Sequence, residues 1–159
     1  MQYSVSIPQL PALQKAFARA PELVAKEVTN AGNRALVRYQ ATAKQKSPVA
    51  KGTLRGSIQI QSMTRRGSTI EGSVGTGLTY AIWQEQGTGI YGPANRPIRP
   101  RNGKMMVFTV GGKKVFARSV KGTKPTWYMR GSLEQNAGAT VKDFVQALSN
   151  VANSLGGRS

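Results

Sequence analysis

A short apolar and aromatic run lies between two glycine–threonine turns in the stretch SVGTGLTYAIWQEQGTG, residues 73–89. Glycine supplies the positive φ at which a chain reverses, so these turns limit the run at both ends. The run over residues 80–86 is compatible with a single helical turn or with a bent strand. Strand patterns lie on both sides of it, which places this stretch in the middle of a strand-rich region.

Two predicted hairpins flank the run. Residues 57–63 alternate polar and apolar side chains as a half-buried strand does. A turn at residues 65–68 then leads into a second strand over residues 69–74. Farther along, residues 104–110 and 113–120 flank Gly111-Gly112, a two-residue hairpin turn. We therefore expect mostly antiparallel strand pairing.

Two long helices enclose the strand region in the sequence. Pro21 suits the first turn of a helix over residues 21–46, and a second helix is predicted over residues 127–155. Residues 1–20 are predicted to be an arm, with a strand or a disordered segment over 1–7 and a short helix over 12–20. Apolar residues recur at helical spacing in both long helices. They are Val24, Val28, Ala31, Ala35 and Tyr39 in the first, and Leu133, Ala137, Val141, Val145 and Leu148 in the second.

The order of these elements predicts the fold class. Strands cluster between the helices instead of alternating with them, which favours α+β. We expect a mostly antiparallel sheet with two long helices packed on one face. A long basic loop over residues 87–102 and the hairpin that follows should project from it. The 159 residues are predicted to form a single domain, with strands confined to residues 57–120.

The charge of the chain is strongly positive, with 23 Lys and Arg against six Asp and Glu, a formal net charge of +17. Basic runs are often only solvated faces, but so much unbalanced charge also favours an anionic partner. That partner is predicted to be nucleic acid or an acidic face of another protein. The residues expected to face it are Arg96, Arg99, Arg101, Lys104, Lys113, Lys114, Arg118, Lys121 and Lys124, in a stretch that contains no acid from Gln86 to Leu133.

Several kinds of chemistry are disfavoured. The chain has no cysteine and no histidine, which removes disulfides, thiolate nucleophiles and the commonest metal ligand. A two-metal nuclease needs converging carboxylates, whereas Glu71 and Glu85 are the only acids in the strand region. The Gly-x-Gly pairs at residues 75–77 and 87–89 lack the third glycine of a dinucleotide site. We predict no enzymatic activity, no metal and no cofactor.

The run over residues 80–86 is predicted to contact a neighbouring subunit or a sheet edge. Aromatic residues among arginines can stack on bases, but Trp83 and Trp127 flank apolar segments, which favours packing. Tryptophan and tyrosine are also common at protein interfaces. Glu85 is interpreted as an ion-pair partner for an arginine of this subunit or of the next. The predicted interface residues are Tyr80, Ile82, Trp83 and Glu85.

Membrane contact and secretion are not expected. No apolar run approaches the roughly 18 residues of a membrane span. The N-terminus lacks the basic region and apolar stretch of a secretory signal. We therefore expect synthesis in a cytoplasm.

Three motifs occur in order along the chain: SPVAKGTLRGSI at residues 47–58, VGTGLTYAIWQEQGT at 74–88 and PTWYMRGSL at 125–133. Together they resemble a family of small siphophage and prophage proteins, described as minor tail components, tail-completion proteins or head–tail joining (neck) proteins. The resemblance covers roughly residues 24–145. Tyr128 stands where many members have Phe, and residues 87–121 are unusually basic for the family.

The resemblance implies a structural role without catalysis or cofactor. Such proteins look like ring subunits, commonly sixfold, that lie between connector and tail tube and link the tail to the DNA-filled head. The implied partners are copies of this chain, neighbouring connector and tail proteins and, through non-specific contact, double-stranded DNA. The implied location is the virion, at the head–tail junction or in the tail, after synthesis in the bacterial host cytoplasm. Two alternatives stay open: a monomeric, sequence-independent nucleic-acid-binding protein, and a small nuclease.

Overall fold

A computed structural model describes residues 10–67 and 69–156, and it has the predicted α+β fold. The strand or arm expected over residues 1–7 lies outside the described residues. A short 3-10 turn, Gly89–Tyr91, follows the third helix. The elements in chain order are α1 (Leu10–Lys46), α2 (Thr53–Ser57), β1 (Gln59–Arg66), β2 (Thr69–Gly75), α3 (Ala81–Gln86), β3 (Met106–Val110), β4 (Lys113–Ala117) and α4 (Tyr128–Leu155).

Both predicted hairpins form. Among the described strands, β1 pairs with β2 and β3 pairs with β4, so the strands make two separate two-stranded ribbons. In the second ribbon Val107 lies opposite Phe116, and Val110 lies opposite Lys113. Gly111 and Gly112 connect these strands with φ values of 55° and 80°. Two successive positive φ angles are the conformation that a tight hairpin turn requires, and glycine adopts it without steric cost.

The chain divides into two compact units. The first holds the chain up to Arg38, Ile60–Val74 and the chain from Asn136 onward. The second holds Tyr39–Gln59 and Gly75–Gln135. Both long helices contribute residues to both units, so the division does not separate two successive segments of sequence. The single domain stays a prediction.

In the first unit, α1 packs closely against β1. Met63 on β1 occupies space that only glycine leaves open, since a Cβ at Gly32 would lie 2.2 Å from the Met63 Cε. The Met63 backbone N–H donates to Asn33 Oδ1 at 2.9 Å. Ala31 and Ala35, in the same part of α1, are buried. Small residues on α1 thus let the ribbon backbone approach the helix.

The predicted start of the first long helix at Pro21 was wrong, because α1 is continuous from Leu10 to Lys46 with Pro21 inside it. Proline lacks the N–H that would donate to the preceding turn, but its fixed φ is helical. The helix therefore loses one hydrogen bond at this point without being forced to end. The short helix predicted over residues 12–20 is part of the same helix.

The apolar stripe on α4 is exposed. Val141, Val145 and Leu148 each keep more than half of their surface accessible. The opposite side of the helix carries Asp143, which pairs with Arg38 and lies 3.7 Å from Arg34 Nε on α1. The helical repeat therefore places Asp143 on the face of α4 that contacts α1. It places the three apolar side chains on the other face, where they are exposed.

Candidate partner-binding segment and its anchor

Residues 81–86 of the apolar and aromatic run form a helix, α3, which resolves the alternative that the sequence left open. Ala81 is buried, whereas Ile82 and Trp83 are 54% and 58% exposed. Trp83 therefore does not pack in the interior of this chain, contrary to the favoured interpretation. Both side chains are accessible to a neighbour, and their role in a subunit interface stays a prediction.

Glu85 caps the first turn of α4. Its Oε2 accepts a hydrogen bond from the Met129 N–H at 2.8 Å, and its Oε1 accepts one from the Arg130 N–H at 2.9 Å. The first N–H groups of a helix have no partner inside it, and a carboxylate there also complements the helix dipole. Within the described residues Glu85 is not ion-paired with an arginine, so in this chain its partners are backbone amides.

Backbone contacts around the cap join α3 to the chain that leads into α4. Thr126 donates from its N–H and its hydroxyl to the Gln84 carbonyl, at 2.9 and 2.7 Å. The Trp127 N–H donates to the Glu85 carbonyl at 3.2 Å. Trp127 has a φ of 49°, a left-handed conformation that a bulky residue adopts only where its surroundings enforce it. These contacts supply that enforcement.

Tyr128, the first residue of α4, is almost completely buried at 1% exposure. Burial raises the pKa of its phenol above the ordinary tyrosine value, and the Glu85 carboxylate and Tyr80 act in the same direction. The buried ring fixes the start of α4, while the adjacent Trp127 stays partly exposed with the Arg130 guanidinium 5.5 Å from its ring centre. Of the predicted packing residues at this helix start, Tyr128 is the one that forms core.

The chain crosses itself immediately after α3. Thr88 donates its N–H to the Thr123 carbonyl, and its hydroxyl accepts from the Thr123 N–H, both at 2.9 Å. The Ile90 N–H donates to the Lys121 carbonyl at 2.8 Å. A Cβ at Gly89 would lie 2.1 Å from the Lys121 carbonyl oxygen, so this crossing requires glycine. We call residues 87–90 and 121–126 the anchor.

The anchor closes a 30-residue excursion, residues 91–120, which we call the basic segment. It contains the predicted loop and the β3–β4 hairpin, and an isolated bridge between Ile98 and Val120 continues the pairing from the anchor. Arg96 and Arg99 line a cleft of about 570 Å³ near its base. The close backbone approach at the crossing accounts for glycine at residues 89 and 122, where a Cβ would lie 2.1 and 2.2 Å from a backbone carbonyl oxygen.

The predicted partner-facing cations are all exposed. Seven lie in the basic segment, and Lys121 and Lys124 lie in the anchor, where the Lys124 Nζ is 5.8 Å from the centre of the Tyr91 ring. Across the part of the chain that the structure describes, none of the nine forms an ion pair with a carboxylate. Their charge is therefore not neutralised by ion pairs within the described part of the chain.

Every acid of the chain has a partner elsewhere. In the described part of the chain, none of these acidic side chains pairs with a cation of the basic segment. Glu22 pairs with Arg65, Glu27 accepts from Asn150, Glu71 pairs with Arg66, Glu85 caps α4, Glu134 pairs with Arg130, and Asp143 pairs with Arg34 and Arg38.

Sequence reasoning missed the apolar surface of the hairpin. Val107 and Phe116, opposite each other on β3 and β4, are 57% and 60% exposed. Val110 and Met105 are also at least half exposed. The sequence of each strand contains the signal, because β3 and β4 both carry apolar residues at successive positions and therefore on both faces. A ribbon of two strands cannot bury the apolar side chains of either face by itself.

The described residues contain no group of three His, Cys, Asp or Glu side chains that could hold a metal ion. Among the described helices, none is both long and apolar enough to span a membrane. The anchor and the basic segment carry exposed cationic and apolar side chains.

Comparison with known proteins adds one finding. Residues 11–87 match the HK97-gp10-like family, described as "Bacteriophage HK97-gp10, putative tail-component". Comparison with curated proteins finds no match, and comparison with solved structures finds none either. The matched residues run from α1 through α3 to Gly87. They include the first sequence motif and all of the second except Thr88, whereas the basic segment and α4 lie beyond them. This match supports the resemblance of the chain to bacteriophage tail components.

Proposed function

We propose that this tail component is a tail-completion or head–tail joining protein, which assembles as a ring and links the tail to the DNA-filled head. The observation that carries the proposal is the set of nine exposed cations without a carboxylate partner in the described chain. Such a surface is favourable only next to an anionic neighbour. A junction between DNA and other virion proteins supplies such neighbours.

Exposed apolar side chains support assembly with further copies. Ile82 and Trp83 on α3 are accessible, as are Val141, Val145 and Leu148 on α4. Contiguous exposed apolar side chains are typical of protein–protein contact sites. In the proposed hexameric ring, the subunit interface contains Tyr80, Ile82, Trp83 and Glu85. Glu85 would keep its role as the cap of α4, because both of its oxygens are already engaged.

A ring brings identical basic segments together, so their repulsion grows with the number of subunits. Neighbouring connector or tail proteins, or DNA phosphates, would offset that repulsion. In this proposal the chain acts without catalysis or a cofactor. It is made in the host cytoplasm and incorporated into the virion at the head–tail junction or in the tail.

The experiment is genetic complementation followed by imaging. A phage that lacks the gene is grown with and without the chain supplied in trans, and particles are imaged by electron microscopy. We expect filled heads and separate tails without the chain, and joined virions with it. Native mass spectrometry of the purified chain across a salt series measures assembly directly. A strict monomer whose absence leaves virions joined would contradict the proposal.

A second candidate is a monomeric, sequence-independent nucleic-acid-binding protein, which the same exposed cations favour. Binding to a duplex DNA oligomer should then weaken with a slope of about −0.9 in log K per log salt for each phosphate contacted. Replacing Arg99, Arg101, Lys113 and Lys114 by Glu should abolish it. Negligible DNA binding at low ionic strength would eliminate this candidate.

A further inference from the structure

The β3–β4 hairpin combines apolar and cationic side chains on one face. Val107 and Phe116 are opposite each other in the antiparallel register, and both are more than half exposed. The next pair in the register that shares this face is Thr109 with Lys114, because side chains alternate between faces along each strand. An aliphatic and an aromatic side chain thus lie next to a lysine on a single accessible surface.

Burial of its apolar side chains against a further element would stabilise a ribbon of this kind. Two strands alone are marginally stable in water, since a further strand or a packed helix is needed to bury their apolar side chains. On the opposite face Val110 is also more than half exposed, and Phe108 is partly so. The anchor holds the base of the ribbon, but the side chains at its tip keep their apolar surface in solvent. Binding to a partner would remove that surface from water.

The charge around the apolar pair defines the partner further. Lys104, Lys113, Lys114 and Arg118 are exposed at the ends of the two strands, and no acid occurs from Gln86 to Leu133. A surface complementary to this hairpin has to be acidic around its edge. It also has to offer apolar contacts at its centre, where Val107 and Phe116 would be buried.

We propose that this face of the hairpin binds an acidic protein surface with an apolar centre, and not the phosphate backbone of DNA. Phosphates would match the lysines, but a duplex backbone offers nothing that buries a valine and a phenylalanine together. Protein interfaces commonly have an apolar centre, rich in aromatic side chains, inside a polar rim. This inference rests on the proposed function, because the partner is a neighbouring protein of the virion.

The experiment places a photo-reactive group at the centre of the face. The variant Phe116→p-benzoylphenylalanine is supplied in trans to the phage lacking the gene, and purified particles are irradiated. Mass spectrometry then identifies what is cross-linked to residue 116. The matched control is Gln146→p-benzoylphenylalanine, at an exposed polar position on α4. We expect residue 116, and not residue 146, to cross-link to an acid-rich segment of another virion protein.

The outcomes separate the inference from the function on which it rests. Absence of the chain from purified particles would overturn both. With the chain present, cross-linking to DNA, to a second copy of this basic chain or to nothing at all would overturn the inference alone. An equal cross-link to the same segment from residue 146 would also count against it.

A second measurement uses exposed positions, so that folding is preserved. Val107→Ser and Phe116→Ser remove apolar surface and keep every charge, and Val37→Ser is the control because that valine on α1 is 58% exposed. We expect the hairpin variants to be incorporated into particles about tenfold less efficiently, from the apolar area no longer buried. Unchanged incorporation of both hairpin variants, with circular dichroism like the parent, would overturn the inference.

Discussion

Glu85 and Met129 are joined by a hydrogen bond of 2.8 Å from the Met129 backbone N–H to the Glu85 Oε2, across 44 positions of sequence. The other oxygen of the same carboxylate accepts from the Arg130 N–H. A single side chain at the end of the second sequence motif therefore starts the helix of the third. The second and third motifs are therefore in direct contact in the fold. Glu85 of α3 accepts hydrogen bonds from the first turn of α4, next to the anchor.

We expect Glu85→Ala to lower the free energy of unfolding by about 1–2 kcal/mol, the cost of a lost helix cap. Glu85→Gln should cost less, because one oxygen still accepts an N–H. Urea denaturation measures both. The control is Glu134→Gln, which removes an exposed carboxylate 2.8 Å from Arg130 Nε on the same helix and should cost no more than about 0.5 kcal/mol. Equal losses for Glu85→Ala and the control would contradict the role of the cap.

The crossing at the anchor predicts a large cost for Gly89→Ala. Its φ is +65°, and the new Cβ would lie 2.1 Å from the Lys121 carbonyl oxygen. Gly111→Ala is the matched control, since Gly111 has a φ of +55° with nothing within 4 Å of the new Cβ. We expect about 1 kcal/mol for the control from backbone strain. The loss at Gly89 should be roughly 2–4 kcal/mol, because strain and overpacking add. Thermal and urea denaturation would show whether the two variants differ.

Asp143 pairs with two arginines of α1, Arg34 and Arg38, and its side chain is 21% exposed. We expect Asp143→Asn to lower the free energy of unfolding by about 1–2 kcal/mol. That value lies below the cost of breaking a fully buried pair, because the arginine side chains are 33% and 50% exposed. Glu71→Gln removes an exposed carboxylate 3.6 Å from Arg66 Nε and should change stability by less than about 0.5 kcal/mol. If Asp143→Asn and Glu71→Gln lower the free energy of unfolding equally, the ion pairs of Asp143 stabilise the fold no more than an exposed surface pair does.

The raised pKa of Tyr128 predicts a loss of stability at high pH. Below about pH 10, the ordinary tyrosine pKa, the phenol is protonated in both folded and unfolded chains. Above it the unfolded chain releases the proton while the folded chain retains it, so the free energy of unfolding falls as pH rises through the folded pKa. Tyr128→Phe should remove this part of the pH dependence, whereas Tyr91→Phe, at an exposed ring, should not. Urea denaturation tests this at a series of pH values from roughly two units below to about one unit above the ordinary tyrosine pKa. Parallel pH profiles for parent and Tyr128→Phe would contradict it.

Local patterns were sufficient for much of the fold. Alternating side chains and the Gly111-Gly112 turn located both hairpins, because strand period and turn geometry depend on near neighbours in sequence. The long helices were also located, but the boundary at Pro21 was not, because proline weakens a helix without always ending it. The family resemblance rested on ordered motifs, and the residues that match the family contain the first motif and all but the last residue of the second.

The sequence by itself determined the excess of cations, their clustering between Gln86 and Leu133 and the absence of cysteine and histidine. It also determined which residues recur at helical spacing. Only the tertiary structure decided that Glu85 caps α4, that Thr88 and Thr123 cross, and that the apolar stripe of α4 is uncovered. Hydrogen bonds and burial join residues far apart in the chain, and their partners are set by packing in three dimensions, which no local pattern encodes.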